Sequence, residues 1–394
     1  MGWGISTNFL NRNKELTIKD NNKEKQIYIK KKHTNFENSQ NKKKDNYSQI
    51  QKKQLIRNYL NNLEIESNPQ EINISYDLVK DSYMFFGYDN AFTVFYSDDS
   101  INLVYSNYLF SIISYNVIDN KKINEIKNAH HSCITNFRHM HDKKNERDLI
   151  ISVSNDNNLK LWDYKNFECL LNIEKVYKKG YLNSASFINY NNLIYIITSN
   201  HSFSSADNKP IIIYDLYGNI IKQIIDSNEN TVFIDSFYDK KRGQIFIITG
   251  HYKYIKSYDF ERNSNYFKYK DDKDNGFHTS IIINDKGKNV KMIESSDYRD
   301  IRIWNFHNGQ LLKKIQINNK LFGICLWSNK YLFAGAEKGI INLIDLEIGK
   351  AIKILNNHKD SVLTIKKIKH PVYGECIISL SHDETIKLWS KQNK

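Results

Sequence analysis

The sequence predicts an all-β fold assembled from a repeated unit, and three observations carry that expectation. From about residue 80 onward the chain is a succession of short β-branched and aromatic runs broken by Asn, Asp and Gly. No helical periodicity alternates with these runs, which disfavours a doubly wound parallel sheet. A spaced set of His, Ser, Asp and Trp occurs twice, far apart in the chain and at matching offsets.

The clearer copy ends the sequence: His358, Val362, then Ser379, Ser381, Asp383 and Trp389. The other reads His130, Ile134, Ser152, Ser154, Asp156 and Trp162. In both, Asp stands six residues before Trp, with serines two and four before the Asp. His precedes Asp by 26 residues in one copy and 25 in the other.

These residues resemble the signature of the WD-repeat (WD40) β-propeller family. The resemblance spans roughly 80–394 and is specific in those two copies. Weaker copies fall into register on the slot occupied by Trp, at Tyr115, Tyr214, Tyr258, Trp304 and Ile344. With Trp162 and Trp389 these make seven slots, spaced 47, 52, 44, 46, 40 and 45 residues apart. A blade of this family takes roughly 40–45 residues, so the resemblance implies seven four-stranded antiparallel blades. Only five residues follow Trp389, too few for another strand. The run 81–86 is therefore expected to supply the outer strand of the last blade and clasp the ring, leaving only short protected edges.

Upstream of the repeats the composition changes. Residues 1–70 carry a net charge of +7, more than half of the chain's +13. Residues 11–47 lack apolar periodicity and contain the lysine triplets 30–32 and 42–44, so 1–70 is expected to be a disordered basic arm. Ile50, Leu55, Ile56, Tyr59, Leu60 and Leu63 recur at helical spacing, which predicts a short helix within 48–63. The propeller is expected over 80–394.

Composition excludes several classes. Aromatics at 13% and hydrophobics at 40% rule out a wholly disordered chain, and three prolines with 15 glycines rule out collagen-like and Pro-rich scaffolds. No apolar stretch reaches the ~18 residues of a transmembrane helix, and the apolar run within Met1 to Leu10 is too short for a signal peptide. A cytoplasmic protein is expected, with nuclear or membrane-peripheral placement as alternatives. Cys133, Cys169, Cys325 and Cys376 never form C-x-x-C and read as buried free thiols.

In this family such His, Ser, Asp and Trp form a hydrogen-bonded tetrad within one blade. The resemblance implies two structural tetrads, His130–Ser152/Ser154–Asp156–Trp162 and His358–Ser379/Ser381–Asp383–Trp389. A hydrolase triad would need a nucleophile beside an oxyanion site rather than a repeat signature, so no catalytic residue is expected. Gly87-Tyr88, Gly180-Tyr181 and Gly276-Phe277 place an aromatic where His is expected, so those blades are expected to lean on aromatic packing. His130, His131, His139 and His141 lie close in sequence, but a metal needs three or four convergent ligands and none is expected. No phosphate-cradling glycine motif exists, so no cofactor and no small-molecule substrate are expected.

The resemblance implies a non-enzymatic interaction scaffold that docks other proteins, as part of a multiprotein complex, on its upper loop face. Interface anchors favour Trp, Tyr and Arg. Tyr88, Tyr108, Tyr181, Tyr254, Tyr298 and Arg299 fall in or beside loops of that face, and Phe203 sits in a long insertion at 201–209. Two alternatives rest on charge. The start Met1-Gly2-Trp3-Gly4-Ile5-Ser6 fits the form accepted for N-myristoylation at Gly2, although Trp3 counts against it. Together with the lysine triplets and turns such as Lys240-Lys241-Arg242, it describes a membrane-peripheral or phosphoinositide-binding propeller. The sequence pI near 9.2 describes an RNA- or ribosome-associated one.

Overall fold

A computed structural model describes residues 67–391, apart from 84–90, 98–99, 179–180, 202–208, 226–229, 263, 272–276, 286–288 and 297–298. The basic arm up to residue 66, the helix expected at 48–63 and Gly2 lie outside the described residues.

The described chain forms seven four-stranded antiparallel sheets. Strands are lettered a to d from the axis outward, because neighbouring blades meet chiefly through their first strands. Blade one is Thr93–Ser97, Ser100–Ser106, Ile112–Asn116 and Lys121–Ile126; blade two is Ile134–Asp142, Arg147–Ser154, Leu159–Asp163 and Glu168–Ile173. Blade three is Tyr181–Tyr190, Leu193–His201, Ile211–Asp215 and Ile220–Ile224; blade four is Thr231–Asp239, Gln244–His251, Ile255–Asp259 and Ser264–Tyr269. Blade five is Phe277–Asp285, Asn289–Ser296, Asp300–Asn305 and Leu311–Gln316; blade six is Leu321–Leu326, Tyr331–Ala336, Ile340–Asp345 and Lys350–Asn356. Blade seven takes Val362–His370, Gly374–Ser381 and Ile386–Ser390 from the end of the chain and Ile74–Val79 from its beginning.

All seven slots read from the sequence fall in strand c. The burial rule explains the texture. Strands b and c lie between neighbouring blades and are buried almost throughout, as in Arg147–Ser154 and Ile255–Asp259. Outer strands are mostly solvated and read polar, as in Lys121–Ile126. Between strands c and d the register shifts by one residue at the Trp slot in blades one to six, between Leu161 and Trp162 for example. The repeat therefore persists in the β-bulges even where the residue types have drifted.

Closure corrects two expectations. The clasping strand is Ile74–Val79, not 81–86. Ser75 pairs with Trp389 and Asp77 with Lys387, whose side chains form an ion pair. Residues 81–83 instead run on toward blade one: the Ser82 amide donates to the Glu384 carbonyl and the Tyr83 amide to that of Ser106. The apolar run at 81–86 misleads because an outer strand is only half-buried and needs no apolar signature. The propeller also begins earlier than residue 80. A 3-10 turn, Pro69–Glu71, leads to Ile72, which is fully buried in a cluster with Trp327, Phe333, Leu355 and Trp389. Before it, the amide and hydroxyl of Ser67 both donate to Glu375, and the Trp327 indole donates to the Ser67 carbonyl. Of the cysteines, Cys325 and Cys376 are buried, but Cys133 is half-buried and Cys169 is exposed on the outer strand of blade two.

Candidate partner-docking face

The upper face carries the b–c turns and the d–a connections, where both tetrads lie. In blade two, His130 Nδ1 is 3.1 Å from Asp156 Oδ2 and His130 Nε2 is 2.8 Å from Ser152 Oγ. Trp162 Nε1 donates to the same Ser152 Oγ at 2.9 Å. Blade seven repeats the set at 3.0, 2.7 and 2.7 Å through His358, Asp383, Ser379 and Trp389.

The proton pattern follows from the partners. Burial pushes His130 and His358 below 6.5 despite the adjacent carboxylates, so both rings are neutral at neutral pH. A carboxylate only accepts, so Nδ1 carries the proton and Nε2 accepts from serine, whose oxygen accepts from the indole. The result is a one-way chain from Trp through Ser and His to Asp. Burial opposes the charge on Asp156, but the hydrogen bonds from His130 and from the amides of His131 and Asn158 pull its carboxyl down to about 2. Asp383 is likewise held at about 2, with burial outweighed by Thr385, the Lys359 amide and His358. Ser154 and Ser381 serve the turn: each accepts from the amide of its Asp and donates to a d–a carbonyl, of Ser132 and Asp360 respectively. Ser152 and Ser379 have 0% exposure and an indole N–H on the hydroxyl oxygen, which leaves no approach for a substrate carbonyl.

The degenerate blades solve the same problem by other means. The b–c register places Thr198, Thr249, Glu294, Ala334 and Tyr105 where Ser152 stands. In blade three the Tyr177 hydroxyl meets Thr198 Oγ1 at 2.9 Å, an interaction corresponding to that of His130 with Ser152. In blade four His251, from the end of strand b, turns back to Thr249 at 3.0 Å. Blade five packs Trp304 and Phe306 against Tyr269 and adds a charged network. Glu294 lies 3.5 Å from a fully buried Arg302, which also faces Asp300 and Asp271, while Lys314 reaches both aspartates. Trp304 Nε1 has no hydrogen-bond partner among the described residues. Blade six fills the slot with the methyl group of Ala334.

Of the residues expected to meet a partner, Tyr108 is 61% exposed in the b–c turn of blade one, and Tyr181 is 41% exposed where blade three begins. Arg299 takes a left-handed backbone (φ 60°) in the blade-five turn, its guanidinium 4.0 Å from Glu337. Tyr254 is a correction. It is 3% exposed, packed 4.7 Å from the His251 ring with Lys256 and Lys268 over its own ring. Preceding strand c directly, it turns into the blade. Tyr88, Phe203 and Tyr298 lie outside the described residues. Two residues were missed. Tyr252 is 45% exposed and lies 3.0 Å from His201 Nε2, and His201 pairs with Tyr181 across strands a and b. No sequence pattern separates the two tyrosines, because period-two alternation would place Tyr252 and Tyr254 on the same side.

On the opposite face, Arg242 of the Lys240-Lys241-Arg242 turn reaches the Tyr266 hydroxyl, and Lys143, Lys144 and Arg147 flank the a–b turn of blade two. His139 and His141 both hydrogen-bond Asp148 Oδ1, at 2.8 and 3.0 Å, against a cleft of about 520 Å³ lined by Tyr96, Tyr164 and Phe167.

Comparison with known proteins agrees with this geometry. The family described as WD domain, G-beta repeat matches residues 349–390, from strand d of blade six through strand c of blade seven. Among solved structures, the crystal structure of Chaetomium thermophilum Raptor superposes with a TM-score of 0.63 at 13% identity, over 84% of this chain. The match spans 30% of that chain, so the likeness is one of fold.

Proposed function

We propose that this seven-bladed WD-repeat propeller is a non-enzymatic scaffold that docks protein partners on its upper face, over blades three to five. The carrying observation is the aromatic group Tyr181, His201 and Tyr252 on a rigid sheet frame, with both tyrosines exposed, and the left-handed Arg299 in the b–c turn of blade five on the same face. Partly exposed Tyr held by backbone pairing offers contact area at little entropic cost, and Tyr and Arg dominate interface hot spots. The tetrads support this role indirectly, since they tie upper-face turns to the blade core.

The test is co-purification from the native cell. The variant carrying Tyr181→Ala, Tyr252→Ala and Arg299→Ala keeps its melting behaviour and loses the main co-purifying protein. Retention by that variant, with loss on neutralising Lys240, Lys241 and Arg242, would assign the work to the opposite face.

A further inference from the structure

On the face opposite the tetrads, the cleft of about 520 Å³ lies along the seam between blades one and two. The a–b turns of both blades and the c–d turn of blade two contribute to it. The seam is clamped by two hydrogen bonds that cross it. Ser97 Oγ donates to Asp148 Oδ2 at 2.6 Å, and Ser114 Oγ meets the Tyr164 hydroxyl at 2.7 Å. The buried ring of Phe95 stacks on His139, centroids 3.9 Å apart, and meets Tyr164 edge-on at 4.7 Å. The cleft walls are thus set before a ligand arrives, which lowers the ordering cost of binding.

The fold leaves one polar group in this cleft incompletely used. Asn102 lines it at 2% exposure. Among the described residues its carboxamide has one hydrogen-bond contact, Ser100 Oγ at 3.0 Å. Ser100 has a single hydroxyl proton, and the Ser97 carbonyl takes it at 2.6 Å. The amide therefore keeps a donor and an acceptor side by side, and a buried amide in that condition is unfavourable. Beside it, the half-buried rings of Tyr164 and Phe167 stand 5.0 Å apart, with exposed Ile123 from strand d of blade one completing an apolar wall. Charges along the cleft balance. Glu146 and Asp148 oppose Lys165 and Arg147, and Arg147 Nε already lies 3.2 Å from Asp142. A phosphate-bearing ligand would meet two carboxylates there. A donor–acceptor edge next to an aromatic wall instead matches a peptide unit that carries an apolar ring.

We propose that this cleft binds an uncharged peptide segment of a partner protein. A backbone N–H and C=O of the segment pair with Asn102, and an aromatic side chain beside them rests against Tyr164, Phe167 and Ile123. The site is separate from the upper-face docking surface and does not depend on it.

Saturation-transfer NMR on the full chain tests the assignment. The probes are N-acetyl-tryptophan N-methylamide, N-acetyl-alanine N-methylamide, 3-methylindole and adenosine monophosphate. The capped tryptophan binds saturably and more tightly than either the capped alanine or the bare ring. Asn102→Ala weakens it about fivefold or more, as loss of a buried hydrogen bond requires, and leaves 3-methylindole unaffected. Phe167→Ala weakens both ring-bearing probes. Tyr217→Ala, which removes an exposed aromatic from the c–d turn of blade three, changes nothing. Should Asn102→Ala fail to fold, Phe167→Ala and Ile123→Asp, both away from the blade core, decide the matter. Absence of saturable binding by the capped tryptophan, or affinity unchanged in the cleft variants, would overturn the proposal. So would adenosine monophosphate binding more tightly than the capped tryptophan and losing affinity in the same variants, which would assign the cleft to a nucleotide.

Discussion

Ser75 lies directly across from Trp389, so the beginning and end of the propeller share one sheet. A chain starting at Ser67 keeps this pairing, the Ile72 plug and the Ser67–Glu375 hydrogen bonds. We expect it to melt cooperatively. A chain starting at residue 81 loses strand d of blade seven and exposes the edge of Ile386–Ser390. It is expected to aggregate or melt much lower. Equal melting of the two chains in calorimetry would show that closure does not depend on Ile74–Val79.

Each tetrad is a linear chain of hydrogen bonds, so its members are interdependent. His358→Ala and Asp383→Ala should each cost about 1–3 kcal/mol, since each leaves a buried group unsatisfied. The double variant should cost less than the two together. Denaturant unfolding of the four proteins measures the difference, and strict additivity would contradict the geometry.

The tetrads also set a direction for pH dependence. His130 and His358 are held below 6.5 chiefly by burial, so the folded state resists protonation that the unfolded state accepts. Their contribution is complete above that value and is lost as pH falls through their folded pKa. Asp156 and Asp383, at about 2 against an ordinary 3.8, lose theirs at still lower pH. The melting temperature should drop between about pH 7 and pH 5, and the slope should flatten when both histidines are replaced by Ala. A slope unchanged by those replacements would show that other groups carry it.

Blade five holds its charges in a buried network, which behaves differently from a tetrad. Arg302→Leu leaves Glu294 and Asp300 without their guanidinium and should cost about 3–5 kcal/mol. Replacing Glu294 and Arg302 together by apolar residues should recover part of that loss. Denaturant midpoints decide it, and a loss no smaller in the pair than in the single variant would contradict the network.

Blade six approaches the backbone of blade seven closely at Gly323, Gly335 and Gly339. Gly339 has φ +72°, and a Cβ there would lie 2.0 Å from the carbonyl oxygen of the tetrad residue His358. Gly339→Ala should displace that backbone and destabilise by about 1–3 kcal/mol, comparable to losing the His358 side chain. A melt equal to wild type would mean that the b–c turn of blade six yields freely.

Seven strand-c slots and two complete tetrads were legible in the sequence, because each is written within one repeat at fixed short spacings. Burial reinforces that record: strands b and c face neighbouring blades, so their apolar character survives even where Trp has become Tyr or Ile. What closes the ring was decided only by tertiary pairing. Ile74–Val79 falls between the arm expected at 1–70 and the repeats expected from 80, and nothing local marks it as an outer strand until Lys387 stands opposite Asp77. Tyr177 and His251 take up the role of His130 from different points of the repeat, since the Ser-equivalent site asks for a polar atom within reach and not for a given chain position. Tyr252 and Tyr254, two residues apart in one turn, part between solvent and core because backbone direction at the start of a strand, rather than residue type, decides which side chain faces out.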